Sequence, residues 1–366
     1  MGRFNSTEVS IHVLHFHKLL RNRNKSEIAG ESLALLLIDL VSLFGNSLLC
    51  LVIYRTKTLQ TVTNLLILVL AISDIVMAIL GIPFSVAVLI RGEWIFGTHI
   101  CRMQCFLIYF LAFGSLQTIT IVAVNRYYRV LKPVRYKKVF TFKSTSLILF
   151  LVWFVTAALL TIPFLAGAIV PDFSPSKAAC VIFTKPGASK QAVIAVNVAL
   201  VSIAAIIPSA VISFCYFRVF RAVGNHFTRV KPTLRSHHRT QQSTNISEIK
   251  STRTLFFVLL AYFICWIPVF AIEALQTFIM NWWLLPRSCH LLWTFCGCLS
   301  SAVNPFVFGL TSRSFRQGFK VLFRRVSTAD VSQTRRPSLF VVNEGMNAIE
   351  QIEKVDRAKN SDENEE

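Results

Sequence analysis

Charged residues are scarce in this chain, and acidic ones are the scarcest. Only 15% of the 366 residues are charged while 54% are hydrophobic, and 18 Asp and Glu stand against 38 Lys and Arg. Soluble domains carry about 25% charged residues, so this composition excludes an ordinary soluble protein and indicates an integral membrane protein. The net charge of +20 would suggest nucleic-acid binding in a soluble chain. Here the basic residues lie mostly between apolar segments, so we expect no nucleic-acid partner.

Zinc-type cysteine spacing and a cleavable signal peptide are also absent. Most of the nine cysteines lie within apolar segments, where Cys behaves as a small hydrophobic residue, and no zinc spacing remains. The N-terminus has no early apolar stretch followed by a small-residue cleavage site. We therefore expect the first apolar segment to act as its own insertion signal.

Seven apolar segments are long enough to cross a bilayer as helices, which takes about 20 residues. They are approximately Ser32–Tyr54, Val62–Ile90, Ile100–Val130, Ser144–Ile169, Gln191–Phe220, Lys250–Met280 and Cys289–Leu310. The fold class predicted is all-α, a seven-transmembrane helix bundle (32–311) that follows an N-terminal segment (1–31). Alternating aromatic and basic residues predict a short amphipathic helix on the membrane surface (312–325), and 326–366 read as a disordered tail.

The distribution of Lys and Arg predicts the orientation. Basic residues are frequent after the first, third and fifth segments and rare in the opposite loops. By the positive-inside rule, the N-terminus is extracellular and the C-terminus cytosolic, in a multi-pass protein of the plasma membrane. The glycosylation sequons at Asn5 and Asn24 then lie on the glycosylated side.

Asp74 lies deep in the second segment, where a charge is costly and is therefore a functional hypothesis. The alternative is a hydrogen-bonded structural Asp. Other polar residues stand in separate segments, and their convergence on Asp74 would form an oxygen-rich pocket for a sodium ion. The predicted sodium pocket comprises Asn46, Asp74, Ser115, Ser300 and Asn304.

Each apolar segment also carries a motif at a characteristic depth. In chain order they are Gly45-Asn46, Leu70 to Asp74, Cys101 with Asn125-Arg126-Tyr127, Trp153, Pro208 with Tyr216, Cys265 to Pro268, and Asn304-Pro305-Phe306-Val307-Phe308. From about Leu40 to Phe323 the chain thus resembles the rhodopsin-like (class A) G-protein-coupled receptors. The resemblance implies a receptor without catalytic activity that binds an extracellular ligand. It also implies activation of heterotrimeric G proteins by outward movement of the sixth helix, and a disulfide between Cys101 and Cys180.

The resemblance makes Arg126 the activation switch, with Glu248 as its resting-state partner. Two residues depart from the family pattern. Asn125 replaces the usual Asp and weakens one restraint on Arg126, which predicts appreciable basal signalling. Phe308 replaces a Tyr whose hydroxyl would bridge through water to Tyr216 in the active state, which predicts less efficient coupling. The implied activation residues are Asn125, Arg126, Tyr127, Tyr216, Glu248, Trp266, Pro268, Asn304, Pro305 and Phe308.

The ligand is constrained by two further departures. Ile108 stands where amine receptors carry an Asp, and Cys298 stands where retinal-binding relatives carry a Lys, so neither a simple amine nor retinal is expected. The residues left for a ligand pocket favour a small, weakly polar ligand. They are Gln104, Ile108, Tyr109, Trp266, Glu273, Gln276, His290 and Trp293. The Asn-Arg-Tyr motif resembles that of melatonin receptors, although Pro305 departs from theirs, and lipid-like metabolites and short peptides are alternative ligands.

The basic inner loops suit both a G protein and anionic membrane lipids. Ser and Thr residues of the tail, including Ser338 in Arg335-Arg336-Pro337-Ser338, are candidate sites for a receptor kinase and hence for arrestin. Three alternatives to a ligand-activated receptor remain. A channel or transporter would be expected to show internal repeats, which are missing, and a membrane enzyme would need a metal-ligand set or a nucleophile motif at one depth, which is also missing. The third alternative is a constitutively active or ligandless receptor-like partner.

Overall fold

The computed structural model describes residues 6–184, 198–199, 202–229, 239–278 and 285–322. Its helices are α1 (Ser6–Arg21), α2 (Lys25–Arg55), α3 (Val62–Leu80), α4 (Ile82–Arg91), α5 (Gly97–Leu131), α6 (Pro133–Val139), α7 (Phe142–Leu165), α8 (Ile207–Arg229), α9 (Arg239–Phe278), α10 (Arg287–Thr311) and α11 (313–322). A 3₁₀ turn covers Lys57–Leu59, and a π-helical turn, Ser202–Ile206, leads into α8. Strands β1 (Ile169–Ser174) and β2 (Ala179–Thr184) form an antiparallel hairpin.

Six of these helical segments are long and apolar enough to cross a membrane. They are Lys25–Arg55, Val62–Arg91, Gly97–Leu131, Phe142–Leu165, Leu259–Gln276 and Arg287–Thr311. The remaining predicted span is helical from Ser202 onwards, and most of its expected first turns lie outside the described residues. The second predicted span is broken at Gly81 between α3 and α4, and Pro83 stands in the first turn of α4, where a missing backbone N–H is tolerated.

Large apolar side chains cover the outside of the bundle. On α7, Phe150, Phe154 and Ile162 are each more than 60% exposed, and its apolar stretch is only 17% buried within the protein. A soluble protein rarely exposes such a continuous apolar surface, because it would be costly in water. Lipid chains are the solvent that this surface fits.

Helix α5 lies at the centre of the bundle, where it packs against α3, α7 and α8, while α10 packs against α9 and α2. Glycines permit two of the close approaches. A Cβ on Gly45 would lie 2.8 Å from Cγ of Pro305, and one on Gly114 would lie 2.7 Å from the Trp153 ring. Larger residues at these positions would push the helices apart.

The β-hairpin is an addition to the all-helical prediction. Ser174 pairs with Ala179, so the four residues between them form the hairpin tip. The expected disulfide between Cys101 and Cys180 is present and joins β2 to α5. We call this the disulfide end of the bundle, and the opposite end the Arg126 end.

Helix α1 lies within the N-terminal segment for which the sequence predicted no element. It packs on the disulfide end through Phe16 and Leu20, which are almost fully buried. Leu20 shares one apolar cluster with Leu89 of α4 and Ala178 of the hairpin tip. The described part of the N-terminal segment, residues 6–31, therefore belongs to the folded structure.

A charged network fixes the chain between α1 and α2. The guanidinium of Arg23 donates to Glu31 at 2.6 Å and to the Leu89 carbonyl at 2.5 Å. Arg287 of α10 donates to both oxygens of the same Glu31, at 2.7 and 2.8 Å. Burial lowers the pKa of Arg23, while the adjacent carboxylate raises it. Since the reference pKa of arginine is far above neutrality, the guanidinium stays charged.

Asn24, one of the two predicted glycosylation sites, is exposed and caps α2. Its side-chain oxygen accepts from the Glu27 backbone N–H at 2.8 Å and from the Ser26 hydroxyl at 2.7 Å. The other sequon residue, Asn5, and the predicted tail (326–366) lie outside the described residues. Helix α11 lies within the range predicted for the amphipathic helix, although its membrane association stays a prediction.

Candidate functional site

A cavity of about 360 Å³ lies inside the bundle beneath the hairpin. Volumes of 300–1,000 Å³ are typical of small-molecule sites. Its walls come from α3, α4, α5, α9, α10, the π-helical turn before α8 and strand β2, and they are largely apolar. The lining residues include Leu70, Asp74, Met77, Ile108, Tyr109, Ser115, Ile182, Ile206, Tyr262, Trp266, Phe270, Glu273, Trp293, Cys298, Ser300 and Asn304.

The cavity joins two sites that the sequence predicted separately. Ile108, Tyr109, Trp266, Glu273 and Trp293, all proposed for a ligand, line its upper part. Four of the five residues proposed for sodium also line it, namely Asp74, Ser115, Ser300 and Asn304. One continuous space therefore runs from the hairpin to Asp74.

Gln104 does not line the cavity, although it was a candidate ligand residue. Its amide nitrogen donates to the Gly81 carbonyl at 3.0 Å and to the Ser85 hydroxyl at 3.1 Å. Its amide oxygen accepts from the Cys180 backbone N–H at 2.9 Å. With these bonds Gln104 ties the hairpin to α3 and α4, beside the disulfide.

His290 is likewise outside the cavity. Its Nδ1 lies 3.0 Å from the amide nitrogen of Gln276, and its ring packs edge-on against Phe16 of α1 at 5.1 Å. Sequence placed His290 near the outer end of its helix, but it gave no sign that α1 would cover it.

Two tryptophans of the cavity wall carry indole N–H groups without an acceptor in the described part of the chain. Trp266 and Trp293 both line the cavity, and the Nε1 atom of each is buried without a hydrogen-bond partner in the described part of the chain. A buried donor without an acceptor is costly. The Trp266 ring stacks on the Tyr262 ring, with 5.5 Å between the ring centres. Trp266 lies two residues before Pro268, which is inside the same helix.

Lys177, in the hairpin tip, was missed as a site residue. Its ammonium lies 2.7 Å from the Glu273 carboxylate and 4.7 Å from the centre of the Trp293 ring. Its backbone carbonyl accepts a hydrogen bond from the Thr294 hydroxyl. In the sequence, Lys177 is only one of the few basic residues of its loop. Nothing in the distribution of apolar and charged residues indicated that the hairpin tip turns into the bundle.

Polar side chains meet at the bottom of the cavity. Asn304 donates to the Asp74 carboxylate at 2.8 Å, and the hydroxyls of Ser73 and Ser115 lie 3.0 Å apart. Asn46 lies behind the wall and donates to the Ser301 carbonyl at 2.9 Å. A carboxylate among hydroxyl and amide oxygens is a donor set that fits a small hard cation. No group of three or more His, Cys, Asp or Glu suited to a metal occurs in the described part.

The Arg126 end contains the residues of the implied switch. Asn125 is fully buried, and its amide oxygen accepts from the Thr63 hydroxyl at 3.2 Å. Arg126, Tyr216 and Phe308 are buried as well. The side chain of Glu248 lies outside the described part of the chain, although its position falls within α9.

Comparisons with known proteins agree with this architecture. The family model for the 7 transmembrane receptor (rhodopsin family) matches residues 45–308. The chain is 25% identical over 308 residues to melatonin receptor type 1C of Gallus gallus, and the matched region covers 82% of this chain and 83% of that receptor. It is 28% identical over 290 residues to melatonin receptor type 1B of Mus musculus, covering 76% and 74% of the two chains. The crystal structure of squid rhodopsin superposes with a TM-score of 0.71 at 19% identity, covering 84% of this chain and 88% of that one, and confirms the predicted seven-helix fold.

Proposed function

Because the chain belongs to the rhodopsin family of seven-transmembrane receptors, we propose that it is a plasma-membrane receptor for an extracellular ligand that activates heterotrimeric G proteins. The family consists of receptors, and this chain is not an enzyme. In the proposed orientation the disulfide end is extracellular and the Arg126 end is cytosolic. The basic loops at the Arg126 end support this orientation by the positive-inside rule.

The observation that carries the ligand proposal is the apolar cavity with two unsatisfied indole N–H groups. Ligands that fit it are small, largely apolar and equipped with hydrogen-bond acceptors. Glu273 already has a cationic partner in Lys177, which favours a neutral ligand. The relatives are named as melatonin receptors. Melatonin is neutral and carries amide and ether oxygens, so it is the first compound to test.

Binding of labelled melatonin to membranes from cells that express the receptor tests this proposal. Trp293→Phe keeps the aromatic ring and removes the N–H, so we expect a loss of affinity of about fivefold to tenfold, as for one hydrogen bond of about 1 kcal/mol. Trp94→Phe is the matched control, because the Trp94 N–H donates to the Gly97 carbonyl and the residue is not part of the cavity wall. Saturable binding that both variants weaken equally would contradict the proposed contact. A receptor that binds no neutral indole would overturn melatonin as the ligand.

Asp74 provides a proposed sodium site in the same cavity. Its carboxylate, with Ser115, Ser300 and Asn304, offers oxygen ligands around one negative charge. We expect sodium chloride to raise the melting temperature of the purified receptor above that in choline chloride, and Asp74→Asn to abolish the difference. An equal sodium effect in the variant would place the ion elsewhere.

The cytosolic partners remain proposals of the same kind. The basic loops and α11 suit anionic lipids, and the Ser and Thr residues of the tail suit a receptor kinase and arrestin. The support for these partners is the composition of the loops, of α11 and of the tail.

A further inference from the structure

The hairpin tip at residues 175–178 is buried, although loop tips normally face solvent. Every residue from Ser174 to Val181 is buried. The tip is held on three sides: the disulfide fixes Cys180 to α5, Thr294 of α10 donates to the Lys177 carbonyl, and Ala178 packs with Leu20 of α1. These contacts fix the direction in which the Lys177 side chain enters the bundle.

The surroundings of the Lys177 ammonium are those of a cation-binding subsite. A carboxylate lies at 2.7 Å and the face of an indole ring at 4.7 Å. Carboxylate and aromatic face together are the groups that recognise ammonium ligands in proteins. The lysine side chain is 4% exposed and that of Glu273 is 32% exposed, so the carboxylate keeps a face towards the open cavity, which it lines.

A purely structural ion pair would not need this arrangement. Buried pairs contribute little net stability, because desolvation offsets their attraction. Here both partners of the ammonium, Glu273 and Trp293, belong to the wall of the cavity in which a ligand is proposed to bind. The Lys177 ammonium therefore lies at the wall of the ligand cavity and not in a separate part of the protein.

We propose that Lys177 is a tethered ammonium ligand that fills a cation subsite formed by Glu273 and Trp293, and that a free primary alkylammonium occupies this subsite when the lysine is truncated. The proposal rests on the proposed function in that it assigns a part of the same ligand cavity. It gives the intact receptor a preference for neutral ligands, because its only described cavity-wall carboxylate near the hairpin is already neutralised.

The test uses the full-length receptor, purified in detergent, with n-butylammonium as the probe, because this ion has the four-carbon chain of the lysine side chain. Lys177→Met keeps the volume but removes the charge, and Lys177→Gln is a polar alternative if the first variant folds poorly. We expect each to lower the melting temperature by at least about 5 °C, since the half-buried Glu273 carboxylate loses its Lys177 partner. Millimolar n-butylammonium should then restore it in a saturable, concentration-dependent way, whereas 1-butanol, which is neutral, should not.

Matched variants separate a ligand subsite from other effects. Lys18→Met removes an exposed lysine at the same end of the protein and should neither destabilise the receptor nor create a response to n-butylammonium. The double variant Lys177→Met with Glu273→Gln lacks the carboxylate and should bind no n-butylammonium. Destabilisation of Lys177→Met without rescue would mean a structural ion pair and overturn the proposal, as would equal rescue of wild type, Lys18→Met and the double variant.

Signalling distinguishes this proposal from the proposed function. In cells, n-butylammonium should change the second-messenger output of Lys177→Met but not that of the wild type. If no variant, with or without ligand, couples to a G protein while thermal rescue is observed, the proposed function fails and the subsite stands. If the receptor couples normally and thermal rescue is absent, the subsite fails and the proposed function stands.

Discussion

Gly114 sets the distance between α5 and α7. A methyl group there would approach the Trp153 ring to 2.7 Å, and this ring is held by a hydrogen bond from its N–H to the Thr118 hydroxyl at 3.2 Å. Because the bonded ring has little room to move, we expect Gly114→Ala to destabilise the receptor by about 1–3 kcal/mol. Thermal unfolding of the purified protein measures the change.

Gly30→Ala is the control for that substitution. Gly30 also lies within a helix, but nothing stands within 4 Å of a Cβ at this position. Since Ala is a better helix former than Gly, the control should be neutral or stabilising by up to about 1 kcal/mol. Equal destabilisation by both substitutions would show that helix propensity, rather than contact with Trp153, is responsible.

Asn125 is the residue at which we predict the most direct effect on ligand-free signalling. Its amide is buried beside the switch arginine and bonds to Thr63 on α3. An aspartate there would add a full negative charge next to Arg126 and restrain the guanidinium more strongly. We expect Asn125→Asp to lower ligand-free second-messenger output severalfold at matched surface expression. Unchanged output would contradict the expected basal signalling.

Helix α1 depends on the charged network more than on its own sequence. Glu31 joins Arg23 below α1 to Arg287 at the start of α10. Glu31→Gln would take the shared carboxylate from the buried Arg23 and the partly buried Arg287, at a cost of about 2 kcal/mol once the partial exposure of Glu31 is taken into account. We expect faster backbone hydrogen exchange in α1 and a lower melting temperature.

Glu93→Gln is the matched control, because it neutralises an exposed acid. Its effects on hydrogen exchange in α1 and on thermal stability should each correspond to no more than about 0.5 kcal/mol. Exchange in α1 that is equally slow in the wild type and in Glu31→Gln would mean that the apolar contacts of Phe16 and Leu20 hold the helix without the network.

Elements differ in how far sequence predicts them. The membrane helices follow from long apolar segments, since lipid requires each backbone group to be bonded within its own helix. Helix α1 has no such signal: it contains three His and two further basic residues, Lys18 and Arg21, and its position depends on the burial of Phe16 and Leu20 and on the charged network around Glu31. The hairpin is missed for the same reason, because each strand has only six residues and its position depends on the disulfide and on Gln104.

The same limit applies to the site. Polar residues in separate apolar segments predicted that Asn304 could converge on Asp74, and the structure adds the 2.8 Å contact that sequence left open. The ion pair of Lys177 with Glu273 joins residues 96 positions apart and belongs to no motif. Its formation depends on how the hairpin tip is held, which is a property of the whole molecule. The roles of Asp74, Arg126 and the other candidate residues stay predictions until variants are measured.

We propose that this chain is a G-protein-coupled receptor whose switch is Arg126. Cyclic AMP and calcium measured in cells at matched surface expression test it directly, with wild type, Arg126→Ala and the control Arg129→Ala, whose guanidinium lies over the Tyr136 ring at 5.7 Å. We expect ligand-free output from the wild type, little change in Arg129→Ala and loss of output in Arg126→Ala. Wild-type output that Arg126→Ala leaves intact, or a ligand-dependent current in place of second-messenger output, would contradict it.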